Sequence, residues 1–218
     1  MSSPRAPRLV PLPVPQRPGG RVEPIAQAMD DAALVAAVAR GDRSAAGELF
    51  DRYALVVRRV LARILGVDAE LGDAVHDVFV EALRSAAGIR EPERLEFWLV
   101  GIAVHRARSI IRRRTRARWL IFRAPEELPD IPSGAPDPAV DEQVRATYVV
   151  LRSMPADLRI AFALRFVDGM KLEEVAGACG VSLATIKRRL REAERVFRER
   201  ARAHPALAEL DPAGGGAA

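Results

Sequence analysis

One cysteine among 218 residues leaves no room for an internal disulfide or a cysteine-rich zinc site. Aromatic residues are only 5%, so any core must be built mainly from Leu, Val, Ile and Ala. Lysine occurs only at Lys171 and Lys187, so the basic charge is almost entirely arginine. No apolar run approaches the ~18 residues that a membrane-spanning helix needs. The N-terminal Leu9-Val10-Pro11-Leu12-Pro13-Val14-Pro15 is broken by proline and makes a poor secretory core. These absences predict a cytoplasmic chain without a membrane segment. Phosphate-cradling G-x-x-x-x-G-K and G-x-G-x-x-G loops are missing, as is the G-x-S-x-G nucleophile turn. Asp73, His76 and Asp77 share one helical face, but a second ligand set to complete a metal site is lacking. Glu173 and Glu174 are adjacent and so point to different sides of a helix. The expectation is a protein that is no enzyme and uses no cofactor and no metal.

What is present is 49% hydrophobic residues and a formal charge of +5. That is enough apolar material for a folded core, with a balance that favours an anionic partner. Proline marks the boundaries. Seven prolines fall in residues 1–24, one (Pro92) between 25 and 124, and five more crowd Pro125 to Pro138. A stretch that dense in proline cannot continue a helix. The predicted organisation is a basic, disordered arm over 1–24, a domain over 25–120, a linker over 121–138, a second domain over 139–204, and a disordered tail over 205–218.

Charge follows the same divisions. Residues 103–123 hold eight arginines and no acid. The linker turns acidic at Glu126, Glu127, Asp130, Asp137, Asp141 and Glu142, and Lys187, Arg188, Arg189 and Arg191 make the last helix basic again. A uniformly solvated surface does not usually sort its charge in this way.

Apolar residues recur at helical spacing throughout, in stripes through Leu49, Tyr53, Val57 and Val60, through Val75, Val78, Phe79, Ala82 and Leu83, and through Leu99, Ile102 and Ile110. Asp42 and Asp68 are expected N-caps of the second and third helices. Alternating β-branched runs are absent. The fold class is therefore all-α, with two small helical domains joined by a Pro-rich acidic linker. Phe97 and Trp98 are expected in the core.

The sharpest local signal lies between Leu172 and Leu190. Leu172 to Cys179 forms one short helix, Gly180 supplies a left-handed turn, and Ser182 caps a second helix. Ala176 is small where the helices cross, and Val175, Cys179, Val181 and Ile186 are apolar where such a unit is buried. This is a helix-turn-helix. Ile186, Leu190, Ala193 and Phe197 face inward, leaving Leu183, Ala184, Lys187, Arg188 and Arg191 outward. Lys187 and Arg188 suit guanine edges in a major groove, while Thr185 and Arg191 suit phosphates. Cys179 reads as a small core residue.

Leu151-Arg-Ser-Met-Pro155 through Phe162, Gly169 and Leu172-Glu-Glu-Val-Ala176, continuing to Leu190, resembles region 4 of the extracytoplasmic-function sigma factors of bacterial RNA polymerase. Asp31-Ala-Ala-Leu-Val, Arg40-Gly-Asp42, Glu48-Leu-Phe-Asp-Arg-Tyr53, Asp73-Ala-Val-His-Asp-Val-Phe79 and Phe97-Trp-Leu-Val-Gly-Ile-Ala103 resemble region 2, in the family's order and spacing.

The resemblance implies a factor that binds core RNA polymerase and directs promoter-specific initiation of transcription. Region 4 would read the minus-35 element of promoter DNA, and region 2 would read and melt the minus-10 element. Asp73, His76, Asp77 and Glu81 match the segment that grips the polymerase, although the family usually has Gln at His76 and Glu at Asp77. Ser85 to Leu95, with Arg90, matches the loop that holds a flipped-out base. His105, Arg106, Ser109, Arg112 and Arg113 match the helix that tracks the minus-10 strand. The family also implies an anti-sigma factor as partner. The rival reading is a helix-turn-helix regulator that binds duplex DNA, typically as a dimer on a palindrome, without acting as a sigma factor.

Overall fold

The computed structural model of the chain describes residues 29–120 and 138–208. The expected arm and almost all of the linker lie outside them. Nine α-helices make up the described residues: α1 (Asp31–Ala39), α2 (Arg43–Leu65), α3 (Leu71–Ser85), α4 (Leu95–Leu120), α5 (Pro138–Ser153), α6 (Ala156–Phe162), α7 (Leu172–Cys179), α8 (Leu183–Ala201) and α9 (Pro205–Ala208). Short 3₁₀ turns at Ala86–Gly88 and Pro92–Arg94 join α3 to α4. No strand occurs among the described residues, in line with the all-α reading.

Local chemistry sets most helix ends. Asp42 caps α2, accepting from the backbone N–H groups of Ser44 at 2.8 Å and Ala45 at 3.3 Å. Asp30 does the same for α1, accepting from Ala33 N–H at 2.7 Å. Asp68 departs from its expected role. α3 begins three residues later, and Asp68 accepts from Glu70 N–H at 3.1 Å in a local turn and pairs with Arg114 at 2.6 Å. The arginine run of α4 supplies that partner, which local sequence around Asp68 does not reveal.

The first unit packs α2 and α3 against α4. Leu99, Ala103, Val104 and Ala107 of α4 are fully buried, as are Val57, Leu61 and Ile64 of α2. Each fully buried Leu or Ile contributes about 1.5–3 kcal/mol, and the alanines let the helix axes approach closely. Leu83 breaks the expected stripe: it is 41% exposed, because it lies beside the buried line of α3. In the second unit, Phe162 stacks on Phe197 at 4.7 Å between ring centroids and meets Phe166 at 4.8 Å. This smaller core takes in α5, α6, α8 and α9. It extends beyond the expected end of the domain: Leu207, placed in the tail by sequence, is only 2% exposed because α9 folds back on α5 and α8.

After Phe162 the helix widens into a π turn over Ala163–Val167, closed by Asp168 N–H to the carbonyl of Ala163 at 2.9 Å. Such turns are uncommon and shift the register of the residues C-terminal to them. Here the turn carries Asp168 back to the first unit, where it pairs with Arg63 and lies 3.5 Å from Arg59.

The two units do not sit apart. α4 also packs against α6 and α7, and one continuous apolar core runs from Leu34 through Val104 to Val175 and Ile186. Charged groups surround this junction. Arg63 donates to the carbonyl of Val167 at 3.0 Å, Arg159 donates through Nε to the carbonyl of Ile64 at 2.5 Å, and Arg108 meets Asp157 at 2.8 Å.

Candidate nucleic-acid interface

The helix-turn-helix forms as read. Gly180 has φ +65 and its N–H bonds back to α7, ending that helix in the left-handed region that glycine tolerates best. Lys171 N–H donates to Glu174 Oε2 at 2.7 Å to fix the start of α7. Ser182 caps α8, accepting from Thr185 N–H at 3.2 Å. Val175, Ala176, Cys179, Ile186, Leu190, Ala193 and Phe197 are all buried, while Val181 is half-buried. Burial pushes the Cys179 thiol above its ordinary range.

On the outer side of α8, Ala184, Lys187, Arg188 and Arg191 are exposed and Leu183 is half-buried. Thr185 is also half-buried, and its hydroxyl lies 2.9 Å from that of Ser182. Lys187 and Arg188 therefore project from the first turns of α8, the part of a recognition helix that meets base edges. Arg189 behaves differently from its neighbours. Three residues beyond buried Ile186, it turns toward the body of the protein and meets Asp157 at 3.1 Å. That spacing was available as a signal, but the basic run around it concealed the difference.

On the first unit, α3, the turns after it and the first half of α4 enclose a cleft of about 830 Å³. Its lining includes Asp77, Glu81, Arg84, Arg90, Arg94, Phe97, Trp98, His105, Arg106 and Ser109. Five of the six residues matched to the minus-10 element (Arg90, His105, Arg106, Ser109 and Arg112) lie at the cleft or on the exposed side of α4 beside it. The sixth, Arg113, is exposed and reaches Glu70 at 3.2 Å. Glu70 accepts hydrogen bonds from Arg114 and Arg113, and these hold its carboxyl below the usual range.

Phe97 and Trp98 pack against the main apolar core, as expected, but at its margin. Both are half-buried and also line the cleft. The guanidinium of Arg94 lies 5.0 Å from the centroid of Phe97. Aromatic faces and arginines along one cleft match what is needed to stack unpaired bases and neutralise their backbone.

The residues matched to polymerase binding sit together on α3. Asp73, His76 and Glu81 are exposed, and Asp77 is partly exposed and paired with Arg106. Among the described residues, no group of three His, Cys, Asp or Glu side chains is placed to hold a metal ion, and no helix is long and apolar enough to cross a membrane.

Comparison with known proteins gives this geometry a context. Residues 49–117 match the family pattern described as Sigma-70 region 2, and residues 145–195 match Sigma-70, region 4. Together these take in more than half of the chain. The chain is similar to the ECF RNA polymerase sigma-E factor of Haemophilus influenzae, with 26% identity over 76% of this chain and 92% of that protein. It is similar to the ECF RNA polymerase sigma factor SigE of Mycolicibacterium smegmatis, with 28% identity over 74% of this chain and 64% of that protein. Among solved structures, it shares its fold with CnrH in complex with the cytosolic domain of CnrY, at a TM-score of 0.55 and 22% identity, covering 80% of this chain and 99% of that one. The sigma factor RpoE of Bartonella quintana, in complex with the anti-sigma factor NepR, gives a TM-score of 0.55 at 21% identity, covering 74% of this chain and 95% of that one.

Proposed function

The chain belongs to the extracytoplasmic-function sigma factors, and on that premise we propose how its residues divide the work of promoter-specific initiation. Asp73, His76, Asp77 and Glu81 of α3 hold core RNA polymerase. Lys187 and Arg188 of α8 read the minus-35 element from the major groove, with Ala184 and Leu183 against the bases and Thr185 and Arg191 toward phosphates. Arg90, His105, Arg106, Ser109, Arg112 and Arg113 line the path of the displaced minus-10 strand, and the cleft between α3 and α4 takes an unpaired base. The observation that carries this assignment is the cleft itself, where arginines and the half-buried Phe97 and Trp98 meet on the unit that also presents the polymerase face.

Holding a base out of its stack costs a few kcal/mol. Polymerase binding and multiple arginine–phosphate contacts offset that cost together, so melting depends on both surfaces being engaged. Nothing in this scheme requires a reaction at the protein itself, and the factor acts in the cytoplasm where the polymerase is. An anti-sigma factor is the natural regulatory partner.

The test is to combine the full chain with core polymerase and promoter-bearing genomic fragments and to sequence the transcript starts. Starts that share two unlike upstream elements at a fixed spacing support the assignment. Absence of starts, with the free chain binding a palindromic duplex as a dimer, would favour the classical regulator.

A further inference from the structure

Two large apolar side chains on neighbouring helices of the first unit stand open to solvent. Phe50 of α2 is 45% exposed and Leu83 of α3 is 41% exposed. Phe50 meets Phe79 of α3 at 4.8 Å between ring centroids, with the rings tilted. Leu83 follows Phe79 by one helical turn and so shares that side of α3. Gly47 precedes Phe50 by one turn of α2, and a Cβ built on it meets nothing within 4 Å. An apolar strip with an open notch thus follows the seam of the two helices, Gly47 and Phe50 on one side, Phe79 and Leu83 on the other. Single exposed apolar residues need no explanation, and Leu55 of α2 is one. This strip differs because an aromatic pair anchors it and presents ring surface to a partner.

The chain carries a segment of matching chemistry. Leu9-Val-Pro-Leu-Pro-Val-Pro15 lies in the sequence that precedes the described residues. Prolines at 11, 13 and 15 fix φ and favour an extended polyproline helix of three residues per turn. Leu9, Leu12 and Pro15 then fall on one edge of it, about 19 Å long. Such segments dock on aromatic-lined surfaces, having little conformational entropy to lose and few backbone donors to leave unpaired. The attachment permits this docking. Arg52 donates to the carbonyl of Met29 at 2.8 Å and pairs with Asp31 at 3.1 Å, and the Tyr53 hydroxyl donates to Asp31 at 2.6 Å. The chain therefore enters α1 fixed to α2, two residues along from Phe50. Pro15 and Met29 are fourteen residues apart, a reach of ~46 Å when extended. A helix is only about 10–12 Å across, so the segment can pass round α2 to the strip. Gly19-Gly20 lets the chain turn on the way. Charge agrees: Arg5, Arg8 and Arg17 flank the apolar segment. In the first half of α2 and along α3, Asp51, Asp73 and Glu81 are exposed against Arg43 and Arg84, which leaves the surroundings weakly acidic.

We propose that Leu9–Pro15 docks as an extended segment on the strip of Phe50 and Leu83 and there shields the neighbouring polymerase face of α3. The shielding rests on the reading of Asp73, His76, Asp77 and Glu81 as polymerase contacts; the docking does not. His76 is seven residues, two helical turns, before Leu83, and so lies on nearly the same side of α3. A segment seated on Leu83 covers the approach to that side. Core polymerase must displace it, and the apparent affinity falls by the fraction of chains whose strip is free.

The experiment pairs Val14→Cys in the segment with Gly47→Cys beside the strip, in the full chain, and measures the rate of bridging by a short bismaleimide. Val14→Cys with Ala36→Cys is the reference, because Ala36 is exposed on α1, near the point where the chain leaves Met29. A segment that wanders freely bridges to Ala36 at least as fast as to Gly47. Docking makes the Gly47 bridge about tenfold faster, through a raised effective concentration. Native Cys179 is buried, and Val14→Cys alone measures its background. Leu9→Ser with Leu12→Ser removes the preference without touching either helix. Leu83→Ser removes it from the other side, with helix content by circular dichroism unchanged. In the unbridged chain, Leu9→Ser with Leu12→Ser tightens binding to core polymerase about threefold. Equal bridging to Gly47 and Ala36 overturns the docking, as do bridges that link two chains, which would give the strip to a second copy. A bridging preference together with unchanged polymerase affinity in the segment variant overturns the shielding. Transcript mapping with wild-type chain and core polymerase judges the sigma-factor assignment separately, because bridging needs neither polymerase nor promoter.

Discussion

Arg106 of α4 is ion-paired with Asp77 of α3, so a residue assigned to the DNA strand is held by one assigned to the polymerase. Both side chains are about a third exposed, which limits the pair's contribution to stability to roughly 0–1 kcal/mol. Its interest is positional. If Asp77 engages the polymerase as proposed, Arg106 loses its partner beside the cleft.

Asp77→Arg replaces that pair with two like charges on the proposed polymerase face. The expected outcome is at least ~tenfold weaker binding to core polymerase with a thermal midpoint within a few degrees of wild type, since an exposed pair contributes little to folding. Fluorescence titration with core enzyme and a melting curve check the two parts. Unchanged affinity would mean that the polymerase face lies elsewhere.

Arg188→Ala removes a donor from the exposed first turns of α8. Initiation that depends on the minus-35 element should fall by an amount equivalent to about 1–3 kcal/mol, the range for a good base contact. Affinity for core polymerase should be unaffected. Runoff transcription on promoters with intact and scrambled upstream elements separates the two effects, and equal selectivity in wild type and variant would sink the assignment.

Gly180→Ala tests the turn between α7 and α8. The backbone there has φ +65, where a side chain costs roughly 1–2 kcal/mol. Ser182→Ala removes the acceptor for Thr185 N–H and costs about 1 kcal/mol. Both variants should unfold at lower denaturant concentration than wild type. A midpoint equal to wild type for Gly180→Ala would show that the turn relaxes out of the left-handed region.

Cys179 is 5% exposed and its thiol is pushed up by burial. Both effects suppress the thiolate that reacts. In the native chain it should react with an aromatic disulfide reagent at pH 8 about two orders of magnitude more slowly than in denaturant. Equal rates would place it at the surface and contradict the packing of α7.

The parts of the fold that were legible in sequence are those decided within one helix or one turn. The cap at Asp42, the turn at Gly180 and the buried line Ile186, Leu190, Ala193 and Phe197 depend on residues a few positions apart, and each forms as expected. Asp68 and Leu207 depart from expectation because their surroundings come from distant segments: Arg114 for Asp68, and α5 and α8 for Leu207. The candidate DNA residues on α8 follow from periodicity, while the cleft residues came from family resemblance and gained a common surface only in three dimensions. The junction between the units left no sequence signal beyond isolated charges. Asp157, Asp168 and Gly177 look like ordinary surface positions until α2 and α4 are beside them.

The sharing of Asp157 has a consequence for how the free factor responds to ionic strength. Each phosphate that an arginine neutralises releases counterions, so DNA affinity ordinarily falls steeply as salt is added. Arg108 and Arg189 already share one internal carboxylate, Asp157, which offsets part of their charge. Added salt weakens that internal pair along with the external contacts, freeing arginine charge as it screens it. The free factor should therefore show a shallower dependence of log affinity on log salt than its content of basic residues suggests.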